Sequence, residues 1–169
     1  MMIVGTLLLI DFGKVAAAGL VSHEIGERFG FIIAKIQAPV PEVHRRGWQA
    51  SADDFLSEVC RLRVENKKDL ALGFTDADMF VPELNFVFGL ASKDGACAVV
   101  STQRLKEKDS RLLEDRLLKE SVHELGHVVG LEHCDDRKCA MHFSNSLADT
   151  DIKGSEFCKR CSLKLEALP

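Results

Sequence analysis

One stretch constrains the fold of this chain more than any other: residues 123–133, with the sequence HELGHVVGLEH. An α-helix advances about 100° per residue, so His123 and His127 share one helix face, about one turn apart. If the helix continued, His133 would lie roughly 240° around from His127, on the wrong side. We therefore predict that the helix ends at Gly130, because glycine tolerates the left-handed turn that brings the third imidazole back.

Three converging imidazoles predict a metal site. Neutral imidazoles would leave one position of a tetrahedral zinc ion open for water, as in catalytic sites. Glu124 is predicted to bond that water and act as general base without ligating the metal. The alternative is an amphipathic helix with incidental histidines, but an accidental match has a chance on the order of one in 10⁵ at average composition. The similar start at His23 and Glu24 lacks the further histidines and is expected to be a solvated helix face.

The cysteines of the C-terminal part predict a second metal site. Two close pairs are separated by a connection of loop length: Cys134, Cys139, Cys158 and Cys161. Four thiolates fill a tetrahedral zinc ion completely, so this site would be structural and would stabilise a segment with little apolar core. The alternative is two redox pairs or free cysteines. Cys60 and Cys97 lie in apolar settings and are expected to be inert packing residues.

Composition excludes some classes of protein. The formal net charge of −4 and the pI near 5.9 argue against a nucleic-acid partner, which requires basic surface. Residues 1–11 are apolar, but they lack basic residues and a cleavage site, and they are too short to span a membrane. We expect a buried strand there, no membrane partner and a cytoplasmic protein, in which cysteines are metal ligands or free thiols rather than disulfides.

The order of the predicted elements gives the fold class. Ser92-Lys93-Asp94-Gly95 is a hairpin signal, so the strands on either side should be antiparallel. We predict an α/β protein with a mixed, mostly parallel twisted sheet, one antiparallel edge strand, a backing helix, the active-site helix and a small C-terminal Cys₄ zinc subdomain. The predicted strands are 2–11, 31–38, 70–75, 84–91 and 96–102, the helices are 14–29, 52–64 and 111–130, and the connections 39–48 and 76–82 are expected to be irregular.

The pattern from the HExxHxxGxxH motif through the last cysteine pair resembles the archaemetzincins, a metzincin branch of the zinc metallopeptidases. The matching residues are His123, Glu124, His127, Gly130, His133, Cys134, Cys139, Met141, Cys158 and Cys161. The resemblance implies an upper subdomain, 1–130, that carries the active-site helix, and a short lower one, 131–169. It also implies that Met141 forms the Met-turn, an apolar floor beneath the histidines. The chain has no tyrosine, so the tyrosine that some metzincins place after this turn is missing.

These features predict a zinc-dependent metallopeptidase with two zinc ions, one catalytic and one structural. It would hydrolyse short peptides, as a metalloendopeptidase or an aminopeptidase-like enzyme, and act as a monomer. Substrate would lie extended beside the edge strand at 85–91, with loop 143–157 bordering the cleft. The alternative is a zinc-stabilised binding or regulatory protein that retains a metzincin site with little turnover. A Cys₄ nucleic-acid module is disfavoured by the acidity and by the lack of interleaved basic and aromatic residues.

Overall fold

The computed structural model describes residues 5–169, so residues 2–4 of the predicted first strand lie outside the described part. The strands are β1 Gly5–Phe12, β2 Phe31–Ala38, β3 Arg45–Arg46, β4 Gln49–Ser51, β5 Leu70–Thr75, β6 Met79–Phe80, β7 Gly89–Ser92 and β8 Cys97–Ser101. The helices are α1 Ala18–Phe29, α2 Ala52–Glu65, α3 Ser110–Val128, α4 Leu147–Ile152 and α5 Lys159–Ala167.

The main sheet has the strand order β2-β1-β5-β8-β7. The first four strands are parallel, and β7 pairs antiparallel with β8 at the edge, with Leu90 opposite Val99. The predicted fold class and the hairpin are therefore confirmed. Sequence segments with helical and with strand-like apolar patterns alternate along the chain. This order produces a sheet covered by helices on both faces.

Strand β1 separates two apolar cores. Leu7 and Leu9 pack on one face of the sheet with α1 and α3, whereas Leu8 and Ile10 pack on the other face with α2. All four side chains are at most 1% exposed, which explains why this strand is a continuous apolar run. Helix α3, which carries His123 and His127, therefore packs on the sheet through the first of these cores.

Cys60 of α2 and Cys97 of β8 form a disulfide, with their Cα atoms 5.4 Å apart. Both residues pack in the apolar core beneath α2, as expected, but the expectation that cysteines are metal ligands or free thiols rather than disulfides is wrong for this pair. Cys97 is fully buried beneath α2, as its apolar surroundings predicted. Its position opposite Cys60 follows from how α2 packs on the sheet, which spacing along the chain does not reveal.

Two predicted elements begin several residues later in the structure than expected. Helix α1 begins at Ala18 rather than at residue 14, because the Asp11 carboxylate accepts hydrogen bonds from the backbone N–H groups of Ala17 and Ala18. The strand predicted over 84–91 is confined to Gly89–Ser92. The residues before it turn away, and the Val87 N–H donates to the carbonyl of Met79 instead.

Short elements occupy segments that were expected to be irregular. Strands β3, β4 and β6 form a second small sheet, and α4 lies within the predicted loop 143–157. Helix α4 has a local start signal, since the Ser146 hydroxyl accepts from the Asp149 N–H. Among the described residues, no helix combines the length and apolarity needed to cross a membrane.

Candidate metal centres

The end of α3 positions the third histidine. The helix ends at Val128, two residues before the predicted boundary. Gly130 has a φ of 111°, a value that favours glycine. Its N–H donates to the His127 carbonyl at 3.0 Å, and the Leu131 N–H donates to Gly126 at 2.8 Å. This turn reverses the chain and brings His133 back toward the helix face that carries the other two histidines.

The three histidines lie together. Ring centroids are 4.7 Å apart for His123 and His127, 5.3 Å for His123 and His133, and 4.7 Å for His127 and His133. One ring nitrogen of each lies within 4.8 Å of the corresponding nitrogens of the other two. The predicted triad is therefore close enough to share one ion.

Backbone carbonyls fix the tautomers of two of these rings. Nδ1 of His123 is 2.8 Å from the Ala140 carbonyl oxygen, and Nδ1 of His127 is 2.8 Å from that of Leu131. A carbonyl only accepts, so each Nδ1 carries the hydrogen and each Nε2 offers a lone pair. Burial lowers the pKa of both rings, so both are neutral near pH 7.

The two Nε2 atoms are 3.2 Å apart. With both hydrogens on Nδ1 and both rings neutral, this contact is not a hydrogen bond but two lone pairs directed at one region. Such an arrangement is unfavourable unless a cation lies between the two atoms. The donor set of neutral imidazoles, with burial also lowering the pKa of His133, therefore fits zinc.

Glu124 lies in a tight pocket beside the triad. Burial raises the pKa of its carboxyl to about 8, repulsion from Glu120 adds to the shift, and Lys153 opposes it. A Cβ atom added to Gly89 would lie 2.6 Å from the Glu124 Oε1 atom. Gly89 of the edge strand is thus a site residue that sequence reasoning missed. Its signal is a glycine inside a strand, which often marks a close approach.

Met141 packs against α3 at Gly126. Its side chain is fully buried, and its sulfur occupies the space that a Cβ on Gly126 would need. The Met141 carbonyl accepts from the Cys134 N–H at 2.9 Å. His142 is half-buried, and its Nδ1 donates to the Cys134 carbonyl at 2.9 Å. The two predicted metal centres are therefore adjacent and joined through the backbone.

The four C-terminal cysteines also converge, with their sulfurs within 4.8 Å of one another: Cys134, Cys139, Cys158 and Cys161. Backbone N–H groups of Met141 and Cys158 point at the Cys139 sulfur, at 3.4 and 3.3 Å. The Arg160 guanidinium donates to the Cys134 sulfur at 3.2 Å. These donors favour thiolate sulfurs, which are the ligands that zinc requires.

The pKa shifts of these thiols indicate that the cluster would need a bound cation to ionise fully. Burial alone would raise the pKa of Cys134, but the hydrogen bond from Arg160 and other donors bring it to about 7. Burial raises the pKa of Cys139 and of Cys161, and neighbouring thiols raise that of Cys161 further. Sulfurs this close cannot all ionise by themselves, and a bound dication is what deprotonates such a cluster.

A buried ion pair beside the triad was not anticipated from the sequence. Lys153 is 1% exposed, and its Nζ lies 3.1 Å from the Glu120 Oε1 atom. Lys153 also donates to the His142 carbonyl at 3.2 Å. The only signal was Glu120 itself, four residues before Glu124 on the same helix face. The pair joins α3 to the segment that follows Met141.

Two cavities adjoin Glu124. One, of about 500 Å³, follows β7 past the histidines to Lys93 and Glu132. The other, of about 160 Å³, lies beyond Gly89 between the 84–89 segment and α3. Phe143 lines both cavities, and its ring centroid is 5.0 Å from that of His133. A chain running along β7 would therefore pass the triad and reach the smaller cavity.

A helix-borne histidine pair, an adjacent buried glutamate and a third histidine placed by a glycine turn are features of the zinc metallopeptidase class. A model of Peptidase family M54 matches residues 29–167, and the chain belongs to this family. The relatives are named archaemetzincin, which confirms the resemblance seen in the sequence.

The relatives differ in how much of their length is matched. The archaemetzincin of Methanocaldococcus jannaschii is 37% identical over 151 residues, covering 85% of this chain and 82% of that protein. The one from Pyrococcus furiosus is 45% identical over 124 residues, covering 70% of this chain. The matched part spans 65% of the Pyrococcus furiosus protein and 63% of the Pyrococcus abyssi protein.

Solved structures agree over nearly the whole chain. Archaemetzincin from Methanopyrus kandleri superposes with a TM-score of 0.87 at 36% identity, covering 96% of this chain and 94% of that one. The Archaeoglobus fulgidus archaemetzincin, complexed with malonate, has a TM-score of 0.82 at 31% identity, covering 94% of this chain and 99% of that one.

Proposed function

We propose that this protein is a zinc-dependent metallopeptidase that hydrolyses peptide bonds in short peptides. One observation carries the proposal: the Nε2 atoms of His123 and His127 are 3.2 Å apart with their lone pairs directed at one region. The buried Glu124 directly follows His123 on the same helix. Neither a packing role nor a solvated helix face requires two acceptors directed at each other. Membership of Peptidase family M54 supports the same reaction.

His123, His127 and His133 would hold the catalytic zinc. When bound there, the ion supplies a Lewis acid and a water of lowered pKa. The protein's own contribution is orientation. The carbonyls of Ala140 and Leu131 hold the first two rings in the tautomer that presents Nε2, and α3 and the Gly130 turn set their mutual positions.

Glu124 would move the proton. As a carboxylate it takes a proton from the attacking water, and it then returns that proton to the leaving amine nitrogen. Burial raises the pKa of this carboxyl to about 8, so the group passes a proton in either direction near neutral pH. A dication beside it would favour the carboxylate form needed for the first transfer.

Substrate would bind along β7. This strand is at the edge of the main sheet, so its free backbone groups are available to an extended peptide. Its run from Gly89 to Ser92 is short, which is consistent with short peptides as substrates. Hydrolysis of peptides with blocked N-termini would identify an endopeptidase, whereas a requirement for a free N-terminus would identify an aminopeptidase-like enzyme.

The second zinc would be structural. We propose that Cys134, Cys139, Cys158 and Cys161 hold it and stabilise the lower subdomain, 131–169, against the upper subdomain, 1–130. We also propose a monomer in the cytoplasm, where these thiols stay reduced. The disulfide between Cys60 and Cys97 is uncommon in that compartment outside hyperthermophiles, so detection of the chain in fractionated cells tests the location.

A metal-stabilised binding or regulatory role is the second candidate. The chain has no tyrosine, and Phe143, two residues after Met141, packs against His133 with its ring centroid 5.0 Å away. A phenylalanine has no hydroxyl with which to stabilise a developing oxyanion. This observation favours a site with low turnover.

The test compares the zinc-loaded wild type with Glu124→Gln on quenched peptides with free and with blocked N-termini. We expect the substitution to lower kcat/KM by about 10² to 10⁴, because the general base is removed while the metal ligands remain. Zinc content is measured on both proteins. Glu114→Gln, on the exposed side of the same helix, is the matched control and should keep full activity. Equal hydrolysis by wild type and Glu124→Gln would reject the peptidase and leave the binding role.

A further inference from the structure

The smaller cavity, of about 160 Å³, has two chemically different sides. Its apolar wall comes from the segment before β7, including Phe86 and Phe88. The opposite wall is the face of α3 that carries Glu120 and Glu124. The cavity therefore suits a side chain with an apolar stem and a polar end.

Glu120 provides a fixed carboxylate in this cavity. The residue is only 2% exposed, so its position is set by its contacts. Its Oε1 atom accepts from the Thr150 hydroxyl at 2.8 Å and the Ser144 hydroxyl at 3.5 Å, and it pairs with Lys153 at 3.1 Å. All of these contacts use one oxygen. Within residues 5–169, Oε2 has no hydrogen-bond donor, so the carboxylate keeps acceptor capacity for a ligand.

Apart from the proposed metal ligand His123, the ionisable side chains that line the cavity are acidic. Glu120 and Glu124 line it, and no lysine or arginine of the described residues does. Lys153 stabilises the Glu120 carboxylate from behind, outside the cavity wall. An apolar side chain that filled the cavity would strip water from Glu120 without replacing its hydrogen bond, whereas a cationic end would supply a charge-assisted one.

We propose that this cavity is a specificity pocket for a lysine or arginine side chain of the peptide substrate, with Glu120 as the residue that recognises the cationic end. This inference rests on the proposed peptidase function. A peptide paired antiparallel with β7 runs from Ser92 toward Gly89, which lies against Glu124. The residue that enters the cavity is then the one directly after the cleaved bond.

The test uses two quenched peptides that differ only at that residue, lysine in one and norleucine in the other. Norleucine matches the apolar stem and lacks the ammonium. We expect the zinc-loaded wild type to prefer lysine by at least about tenfold in kcat/KM, because a buried acceptor rejects an analogue that lacks the donor. Product sequencing should find lysine at the new N-terminus. Equal rates, a preference for norleucine, or lysine on the other side of the cleaved bond would overturn the proposal.

Variants assign the preference to Glu120. Glu120→Gln should reduce the lysine preference to about twofold or less while norleucine peptides are still cleaved. Because this variant leaves Lys153 buried without its partner, the double variant Glu120→Gln/Lys153→Met is tested as well, since it removes both charges together. Glu114→Gln is the matched control and should keep the wild-type preference. If a folded Glu120 variant keeps the preference too, the assignment is wrong.

A binding measurement separates this proposal from the proposed function. Dye-labelled versions of the two peptides are titrated with Glu124→Gln protein, and their affinities are read from fluorescence anisotropy. Tighter binding of the lysine peptide, together with no cleavage by wild type, would support the pocket and reject the peptidase. Equal binding of both peptides, with cleavage by wild type, would reject the pocket and leave the peptidase standing.

Discussion

Gly126 lies in the interior of α3, where glycine is unfavourable unless a close neighbour leaves no room for a Cβ atom. Glycine within a helix is about 0.5 to 1 kcal/mol less stable than alanine. Here a Cβ would collide with the Met141 sulfur and lie 3.3 Å from the Phe157 ring. We expect Gly126→Ala to lower the free energy of unfolding by about 1 to 3 kcal/mol, because the added methyl group overpacks the core. Urea denaturation of both proteins measures this difference.

The control for this prediction is Gly19→Ala in α1. A Cβ on Gly19 would have no heavy atom within 4 Å, so the gain in helix propensity should raise the free energy of unfolding by about 0.5 to 1 kcal/mol. If both substitutions stabilise the protein to the same extent, the close packing of Met141 against Gly126 does not exclude a Cβ atom and the prediction is wrong.

Single residues could be predicted where local geometry alone decides their position. On a continuous helix, His133 would point away from the face that carries His127, so a turn between them was predicted. The structure has this turn at Gly130. The contact between Glu120 and Lys153 could not be predicted in this way. It depends on how the segment after Met141 folds back over α3, and each residue alone reads as an ordinary surface charge.

At the scale of elements, one ion pair fastens α4 to α3. Arg116 of α3, with a 6% exposed side chain, makes two parallel contacts with Asp151 of α4, at 2.7 and 2.8 Å. The hydrogen bond from Arg116 holds the pKa of Asp151 below its usual value of 3.8. The pair therefore contributes stability above the unfolded-state pKa, and this contribution is lost as the pH falls through the lower pKa of the folded state.

We expect Asp151→Asn to lower the free energy of unfolding at pH 7 by roughly 1 kcal/mol, because partial exposure of the carboxylate screens the pair. The difference from wild type should shrink as the pH falls below about 4. Denaturation midpoints between pH 7 and pH 3 measure this trend. Asp94→Asn, in the exposed turn between β7 and β8, should change stability little at any pH. A difference that stays constant with pH would contradict the role assigned to the ion pair.

Elements differ in how well their sequence predicts them. Strands β1, β2 and β5 are apolar runs long enough to be recognised, and α3 carries a full apolar stripe. Strands β3, β4 and β6 are two or three residues each and have no period to detect. They pair only through the folded chain, and Arg46 of β3 donates to the carbonyls of Leu84 and Asn85, so this small sheet contacts the segment that leads into β7.

At the scale of the whole molecule, the two metal centres share a third apolar cluster. Leu131, Met141 and three of the four cysteines pack together beneath the histidines. The Met141 N–H points at the Cys139 sulfur, while the Met141 side chain lies against Gly126 of α3. The sequence predicted both groups of ligands from their spacing, but not that Met141 would contact a cysteine of one group and the helix that carries two histidines of the other. That adjacency is a property of the folded chain.

This adjacency leads to a prediction about zinc stoichiometry. Cys161 is 3% exposed and belongs to the thiol cluster alone. We expect Cys161→Ser to reduce the zinc content from about two ions per chain to about one, because a four-thiolate site that loses one ligand binds zinc far more weakly. The melting temperature should fall by several degrees, because folding free energy is lost with the metal. Atomic emission on desalted protein and calorimetry measure the two quantities.

Two comparisons make this prediction specific. Glu166→Gln, an exposed substitution in the same helix, should keep both zinc ions and the wild-type melting temperature. Glu124→Gln should also keep both ions while losing hydrolysis, since a general base is not a ligand. Peptide hydrolysis by Cys161→Ser should remain measurable at low temperature and disappear on heating before that of wild type, as the support beneath the histidines loosens. An unchanged zinc content in Cys161→Ser would show that the thiols hold no zinc, and the C-terminal segment would then be stabilised by packing alone.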